Sequence, residues 1–387
     1  MTNSNTVYIS AGGTGGHIFP ALSLAERMQK LGWQVHFVTD SRGYEFLKLL
    51  PENICIEEIR LRQLKKYNFF SWVRFFLDTL ILILVWFFKF LRIKPNVVVG
   101  FGGYTSFPIC ASAVLSKIPL VLHEQNSVIG RVNKIFMKKS NCIAFGFFPF
   151  LEEREVLKIE DDTFSDLAAV ARQMEKKKPI LVYLGNPVRT EILSRRNSIY
   201  TPPGDWPLAI FVVGGSQSAD VFGEIVPKSL NNLPRSLRDR LRVYFQARSD
   251  LRETIETDLL KAGVRYEVSE FFEDICDKIA NSQLVISRAG ASTLSEIAVI
   301  GRPSILVPYP SAKDDHQSSN AFAMQNAGAS IVVSQENFSP ETLSRILEEF
   351  FCNPASAQKM ADSAINFSKP KASENFGLLL NQMYRNE

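Results

Sequence analysis

The chain has 387 residues, 46% of them hydrophobic and 22% charged, with a formal net charge of +4. That length allows two or more domains, each with a core of its own, and so small a charge gives no sign of nucleic acid as a partner. The cysteines Cys55, Cys110, Cys142, Cys276 and Cys352 are scattered, with no C-x-x-C or Cys/His cluster, which argues against a disulfide framework and structural zinc. A strand pattern begins close to Met1 with no basic-then-apolar leader, so the expected compartment is the cytoplasm.

Val7–Ser10 reads as a buried strand running into the turn Ala11-Gly-Gly-Thr-Gly-Gly-His17, with a helix expected over Pro20–Leu31. Four glycines let the backbone turn sharply and approach a ligand, and the helix N-terminus beyond favours phosphate. Counting G-x-G-x-x-G from Gly13 meets Gly15 and then Ile18, and no P-loop lysine follows, so neither common nucleotide fingerprint fits. A tight turn with no ligand stays open on this signal alone.

Strands are expected at Val35–Thr39, Val97–Gly100 and Leu120–His123, with helices over Phe69–Leu91 and Phe107–Leu115 between them. The second half repeats the plan. Its strands fall at Leu208–Val213, Val243–Gln246, Leu284–Ser287 and Ile305–Pro308, and its helices at Asp220–Asn231, Asp250–Ala262, Thr293–Ile300, Ser318–Ala327 and Pro340–Phe351. This alternation predicts an α/β protein with parallel sheets. Each half opens alike: Val7-Tyr-Ile-Ser-Ala-Gly-Gly-Thr14 is matched by Ile210-Phe-Val-Val-Gly-Gly-Ser216. Two Rossmann-like halves make a cleft between them the expected ligand site. Glu152–Lys178 is charged and without strand pattern, and reads as a surface insert.

The segment 69–91 includes Leu80-Ile-Leu-Ile-Leu-Val-Trp-Phe-Phe88 and is long enough to span a bilayer. Arg74, Asp78 and Lys89 interrupt it, and the strand after it must rejoin the same sheet. On a helix Ser71, Arg74, Asp78, Lys89 and Arg92 share one narrow stripe, and the rest is apolar. Eight basic residues and one acidic lie between Arg60 and Lys94, which favours docking on an anionic leaflet. A buried apolar helix and a spanning one are the alternatives.

Of the histidines, His36 falls inside a strand pattern, and His316 follows Asp314-Asp315 in what reads as a solvated loop rather than a metal site. His123 ends a strand in Leu122-His-Glu-Gln-Asn126, at the edge where open α/β sheets bind ligands; binding a ligand and orienting the loop stand as equal readings. In Ser287-Arg-Ala-Gly-Ala-Ser-Thr-Leu-Ser-Glu296 a helix start can hold a diphosphate. Glu296 there accepts either ribose hydroxyls or, in a capping box with Thr293, a backbone N–H.

Seven motifs occur in order: Gly12-Gly-Thr-Gly-Gly-His-Ile-Phe-Pro20, Gly100-Phe-Gly-Gly-Tyr104, His123-Glu-Gln-Asn126, Gly185-Asn-Pro-Val-Arg189, Gly214-Gly-Ser-Gln217, Arg288 through Glu296, and Asp315-His-Gln317. Together they resemble the MurG family of bacterial peptidoglycan N-acetylglucosaminyltransferases over nearly the whole chain. The resemblance implies a GT-B fold, two Rossmann-like domains facing across a central cleft: residues 1–187, joined by a C-terminal helix at about 366–387, and residues 188–365. It implies transfer of N-acetylglucosamine, with inversion, from UDP-N-acetylglucosamine to the 4-hydroxyl of the muramoyl sugar of lipid I (undecaprenyl-diphosphate-muramoyl-pentapeptide), giving lipid II.

By position, the family's proposed base falls on His17, with Glu296 the second catalytic candidate. Substrate contacts fall on Thr14, Gly15, Gly16, Tyr104, His123, Asn126, Arg189, Ser216, Gln217, Phe272, Ala291, Ser292, Thr293, Leu294, Ser295, Glu296 and Gln317. Phe272 stands where the family commonly has a smaller aliphatic residue, and Ser218-Ala219 where it usually has Gly-Ala. No metal and no cofactor are expected. The resemblance further implies peripheral attachment to the cytoplasmic face of the inner membrane, with cell-wall synthesis proteins as further partners. Two rivals come from other classes. One is a nicotinamide-dependent oxidoreductase with Asp40 as its ribose acid; the other is a non-catalytic sugar-nucleotide-binding module docked on a membrane.

Overall fold

The computed structural model describes residues 5–44, 46, 54–61, 69–149, 156–159, 167, 169–170, 179–214, 219–310, 312 and 315–384. The chain forms two compact units, Met1–Arg189 with Lys369–Glu387, and Thr190–Ser368.

The first unit is built on strands β1 (Thr6–Ser10), β2 (Gln34–Thr39), β3 (Cys55–Glu58), β4 (Val97–Gly100), β5 (Leu120–Glu124), β6 (Cys142–Phe145), β7 (Val156–Lys158) and β8 (Ile180–Tyr183). They form one parallel sheet in the order β3-β2-β1-β4-β5-β6-β8-β7. β1 is central, with Val7 level with Val35 on one side and Val97 on the other. Alternate residues of β1 feed opposite layers. Val7 and Ile9 pack with Leu24, Met28 and Phe376, while Tyr8 packs with Trp86, Phe90 and Ile109. Each such large side chain, fully buried, contributes roughly 1.5–3 kcal/mol.

The Ala372–Gln382 helix returns to this unit and lies on the Gly15–Lys30 helix. Trp33 Nε1 donates to Asn381 Oδ1 at 3.2 Å, and Arg27 pairs with Glu374 at 3.3 Å.

The second unit carries β9 (Leu208–Val213), β10 (Leu241–Gln246), β11 (Arg265–Ser269), β12 (Leu284–Ser287), β13 (Ser304–Leu306) and β14 (Ser330–Val332). Their order, β11-β10-β9-β12-β13-β14, repeats that of β3-β2-β1-β4-β5-β6. Both are the doubly wound 3-2-1-4-5-6 arrangement, which reverses between its first and fourth strands. The reversal lies beyond β1 and β4 in one unit, where the Gly12–Gly16 turn sits, and beyond β9 and β12 in the other, where Gly214 follows β9. Arg302, almost wholly buried, ties this unit together. Its guanidinium donates to the carbonyls of Ala280 at 2.6 and 2.9 Å, Ile300 at 2.9 Å and Gly301 at 3.2 Å, with longer contacts to Ser198 and Ile199.

The sequence reading and the structure part in instructive places. The first helix begins at Gly15, not Pro20; Pro20 is tolerated one turn in, where it removes a single intrahelical donor. The sequence reading leaves out four edge strands, β3, β7, β11 and β14, and also two interior ones, Cys142–Phe145 and Ile180–Tyr183, although these are apolar and buried. Cys55–Glu58 and Arg265–Ser269 are largely polar, and their identity comes from backbone pairing with one neighbour. Within the presumed surface insert, Val156–Lys158 pairs with β8, and Leu167 and Val170 lie buried in the core.

Among the described residues no helix is long and apolar enough to cross a membrane. The Phe69–Ile93 helix turns Thr79, Trp86 and Phe90 inward and leaves Phe76, Leu77, Ile81, Leu84, Val85 and Phe88 exposed. Trp86 and Phe90 meet Tyr8 edge-on at 5.8 and 5.2 Å. Lys89, from the polar stripe, points to the protein and pairs with Glu57. Burial pushes the Glu57 carboxyl up, but hydrogen bonds from His36 and Lys89 outweigh it and hold the group below its ordinary value.

Candidate active site

At the end of β1 the backbone turns through Gly12 and Gly13 into the Gly15–Lys30 helix. A methyl group on Gly12 would overlap the Thr105 side chain, so only glycine permits this approach of the turn to the Gly103–Leu115 helix. Thr14 is the extended N-cap residue, and its carbonyl accepts from the N–H groups of His17 and Ile18 at 3.0 and 3.2 Å. The helix thereby aims its first turn and partial positive charge at the mouth of the turn, where Thr14 and Gly16 are exposed.

Asp40, buried at the end of β2, braces this turn. Its carboxylate accepts from Tyr104 Oη at 2.6 Å, Arg42 Nη2 at 2.8 Å, Gly43 N at 3.0 Å and, more weakly, Gly13 N at 3.4 Å. Burial raises its pKa, but hydrogen bonds from Tyr104 and Arg42 prevail and hold it below the usual carboxylate value. A carboxylate so fully engaged has no lone pairs to spare for a ribose, which removes the chemical basis of the oxidoreductase reading. Tyr104 therefore meets the turn through Asp40 and Arg42.

His17 lies beside the second glycine pair: a Cβ added to Gly102 or Gly103 would meet its ring at 3.6 Å. Its Nδ1 is 3.1 Å from Gln125 Oε1. Gln125 Nε2 donates to Phe101 O at 2.9 Å and lies 3.3 Å from His123 Nδ1. His123 is wholly buried between Phe101 and Phe376, with Nε2 3.5 Å from Gly185 O. Burial pulls its pKa down to about 3, so it is neutral. It sits behind the surface and reaches His17 through Gln125. Glu124 organises the adjoining loop, accepting from Asn126 N, Asn126 Nδ2, Gly130 N and Asn133 Nδ2 at 2.8–3.1 Å. Arg189 is half-buried, its guanidinium 4.6 Å from the Phe19 ring centre.

In the second unit the helix after β12 runs from Ala291 to Ile300, with Gly290 at its N-cap. Ser292, Thr293 and Ser295 are half-buried around its first turn, and Ala291, Leu294 and Glu296 are buried. Because the helix begins at Ala291, Glu296 is its sixth residue and not its third, which excludes the capping box with Thr293. Gln317 Oε1 accepts from Ala289 N at 3.2 Å and Tyr309 N at 3.0 Å, fastening the loops that follow β12 and β13. Arg288 reinforces them through Val307 O, Pro308 O and Gln335 Oε1. Phe272 is buried, with its ring edge-on to Phe211. Ser216 and Gln217 lie outside the described residues, as does Asp314. Among the described residues His36, Cys55 and Glu57 are close enough to share a metal ion, but Glu57 is already engaged by Lys89 and His36.

The sequence reading passed over Gln125, Arg42, Glu124, Asn133 and Arg288 as site residues. Gln125 and Glu124 stand inside a quoted motif; Glu124 ends β5 and Gln125 follows it, at the C-terminal edge that carried the signal.

Two doubly wound units, one presenting an oriented imidazole and the other a helix N-terminus beside a buried carboxylate, carry the kinds of group that an enzyme acting on phosphorylated ligands uses. The N-terminal domain of glycosyltransferase family 28 matches residues 7–145, and its C-terminal domain residues 209–376. A relative from Chelativorans sp. (strain BNC1), named UDP-N-acetylglucosamine–N-acetylmuramyl-(pentapeptide) pyrophosphoryl-undecaprenol N-acetylglucosamine transferase, is 39% identical over 95% of this chain and 92% of its own. One of the same name from Paramagnetospirillum magneticum is 35% identical over 100% of this chain and 99% of its own. The crystal structure of Acinetobacter baumannii MurG matches with a TM-score of 0.74 and 26% identity, covering 98% of this chain and 100% of that one. The chain belongs to glycosyltransferase family 28 and has the GT-B fold.

Proposed function

We infer that this protein transfers N-acetylglucosamine from UDP-N-acetylglucosamine to the 4-hydroxyl of the muramoyl sugar of undecaprenyl-diphosphate-linked lipid I, forming lipid II. The observation that carries this reading is the identity of 35–39% over nearly the full chain with relatives that all bear this transferase name. The geometry supplies a mechanism to go with it.

The second unit takes the donor. The helix opening at Ala291 directs N–H groups and a partial positive charge at the diphosphate, with Ser292 and Thr293 as hydroxyl donors. Glu296, which is not part of a capping box with Thr293, accepts from sugar hydroxyls. Stabilising the departing diphosphate in this way lowers the barrier to breaking the sugar–phosphate bond. The first unit takes the acceptor. The Gly12–Gly16 turn faces the lipid-linked diphosphate, and His17 removes the proton of the attacking hydroxyl as it adds to the anomeric carbon. Attack opposite the leaving group inverts that carbon in one displacement.

The acceptor carries a polyprenyl chain, so the enzyme must meet a lipid surface. The outward apolar face of the Phe69–Ile93 helix supports docking at the cytoplasmic face of the inner membrane, and exposed Arg60, Arg74, Arg92, Lys94 and Lys117 suit an anionic leaflet.

His17→Ala tests the assignment of the base. Turnover should fall roughly 100-fold or more, the usual contribution of a general base, with binding of UDP-N-acetylglucosamine retained in calorimetry. Turnover near that of the wild type would reject it.

A further inference from the structure

We propose that Gln125 is a positioning residue that locks His17 in its Nδ1–H tautomer, through a relay that begins at the carbonyls of Phe101 and Gly185. The proposal deepens the reading of His17 as the base and rests on it for its kinetic consequence, although not for its structural one.

The argument is one of donors and acceptors. A carbonyl oxygen only accepts, so the Gln125 atom 2.9 Å from Phe101 O is its amide nitrogen. That contact fixes which way the amide faces. The second N–H of the same nitrogen is directed at His123 Nδ1, 3.3 Å away, which must then be the acceptor nitrogen of a neutral ring. The His123 proton falls on Nε2, toward Gly185 O. Burial of His123 among Phe101 and Phe376 keeps that ring neutral, so the relay does not reverse.

At the other end the amide presents Oε1 to His17. An amide oxygen has no proton to give, so His17 Nδ1, at 3.1 Å, must carry one. The lone pair of the neutral ring then belongs to Nε2, on the edge beside Gly103. An unrestrained histidine side chain favours the opposite tautomer, and the second ring nitrogen's hydrogen bond decides which form prevails. Gln125 is itself held: it is almost wholly buried, and its backbone carbonyl accepts from Asn186 Nδ2 at 3.0 Å. The order of protons along Gly185, His123, Gln125 and His17 is therefore set by two backbone carbonyls that no side-chain motion can change.

The test uses the full chain labelled with 15N-histidine, in which each of the four rings gives its own signals. Two-bond proton–nitrogen spectra are recorded above roughly pH 8, where an ordinary imidazole is neutral; the His17→Ala spectrum assigns His17. The expected result is a protonated Nδ1 and an unprotonated Nε2 at His17, with the same polarity reversed in role at His123: Nε2 protonated and Nδ1 bare. A protonated Nε2 at His17 in the wild type overturns the proposal with no variant needed.

In Gln125→Leu, His17 should shift toward the Nε2–H form, and kcat should fall roughly 10–100-fold, as for a misplaced catalytic group, while KM for UDP-N-acetylglucosamine changes less than about twofold. Gln125→Glu, which keeps an acceptor against Nδ1, should retain the wild-type tautomer at His17. An unchanged His17 spectrum in Gln125→Leu overturns the lock. The two readings fail separately. An active His17→Ala enzyme removes the base, with the spectrum still deciding the lock; an inactive one with Nε2–H in the wild type removes the lock alone.

Discussion

Removing the outer apolar face of the Phe69–Ile93 helix should detach the protein from membranes without unfolding it. Phe76 and Phe88 are 68% and 65% exposed. With a full aromatic area of roughly 200 Å², each presents about 130 Å² to the surroundings. At about 25 cal/mol per Å² that is about 3 kcal/mol each on complete burial. Interfacial docking immerses a helix only partway, so half of the pair's total, about 3 kcal/mol, is the working figure. Phe76→Ser with Phe88→Ser should then weaken vesicle binding roughly 100-fold, at about 1.4 kcal/mol per factor of ten. Sedimentation with vesicles containing an anionic phospholipid measures it. Ile83 and Phe87 are the wrong residues to change, since both are half-buried. Vesicle binding by the double variant equal to that of the wild type, with thermal stability also unchanged, would refute docking through this face.

Three further outcomes follow from buried groups. His123 has a folded pKa of about 3 against an ordinary value near 6.5, so the unfolded chain binds the extra proton between those values and stability falls as pH drops through that window. From pH 6.5, where the unfolded histidine is half protonated, to pH 5 the loss is about 1.6 kcal/mol at 1.36 kcal/mol per full unit; urea unfolding should show it in the wild type and not in His123→Gln, and equal slopes would contradict it. The lowered carboxyls Asp40 and Glu57 act in the same direction, starting only as pH falls below their ordinary values of 3.8 and 4.5, so they do not contribute between pH 6.5 and 5. Arg302→Met should cost roughly 3–5 kcal/mol, because it leaves several buried carbonyls without a donor; an unchanged melting temperature would show that the carbonyls find other partners. Gly12→Ala should cost roughly 1–3 kcal/mol by overpacking against Thr105, read as a lower denaturation midpoint, and a midpoint equal to the wild type would mean that the turn can move aside.

The central strands were legible because they are buried on both faces and read as unbroken apolar runs, as in Val97–Gly100 and Leu208–Val213. Polar strands such as Cys55–Glu58 were not, since pairing with a single neighbour leaves little mark on hydropathy. The site divided in the same way. Glycine spacing and His17 are local signals and could be found by reading along the chain. The relay from His17 to Gln125 joins residues 108 apart, and the brace from Asp40 to Tyr104 residues 64 apart; sheet order alone brings them together. The helix start before Glu296 was misjudged by two residues, enough to leave a capping box open that Gly290 at the N-cap excludes.

The most direct measurement is transfer of labelled N-acetylglucosamine from UDP-N-acetylglucosamine to a lipid I analogue by the purified full chain. The account predicts a lipid II product with a β linkage, formed by the wild type and lost in His17→Ala. Absence of transfer to that acceptor, or a product with the anomeric configuration retained, would contradict it.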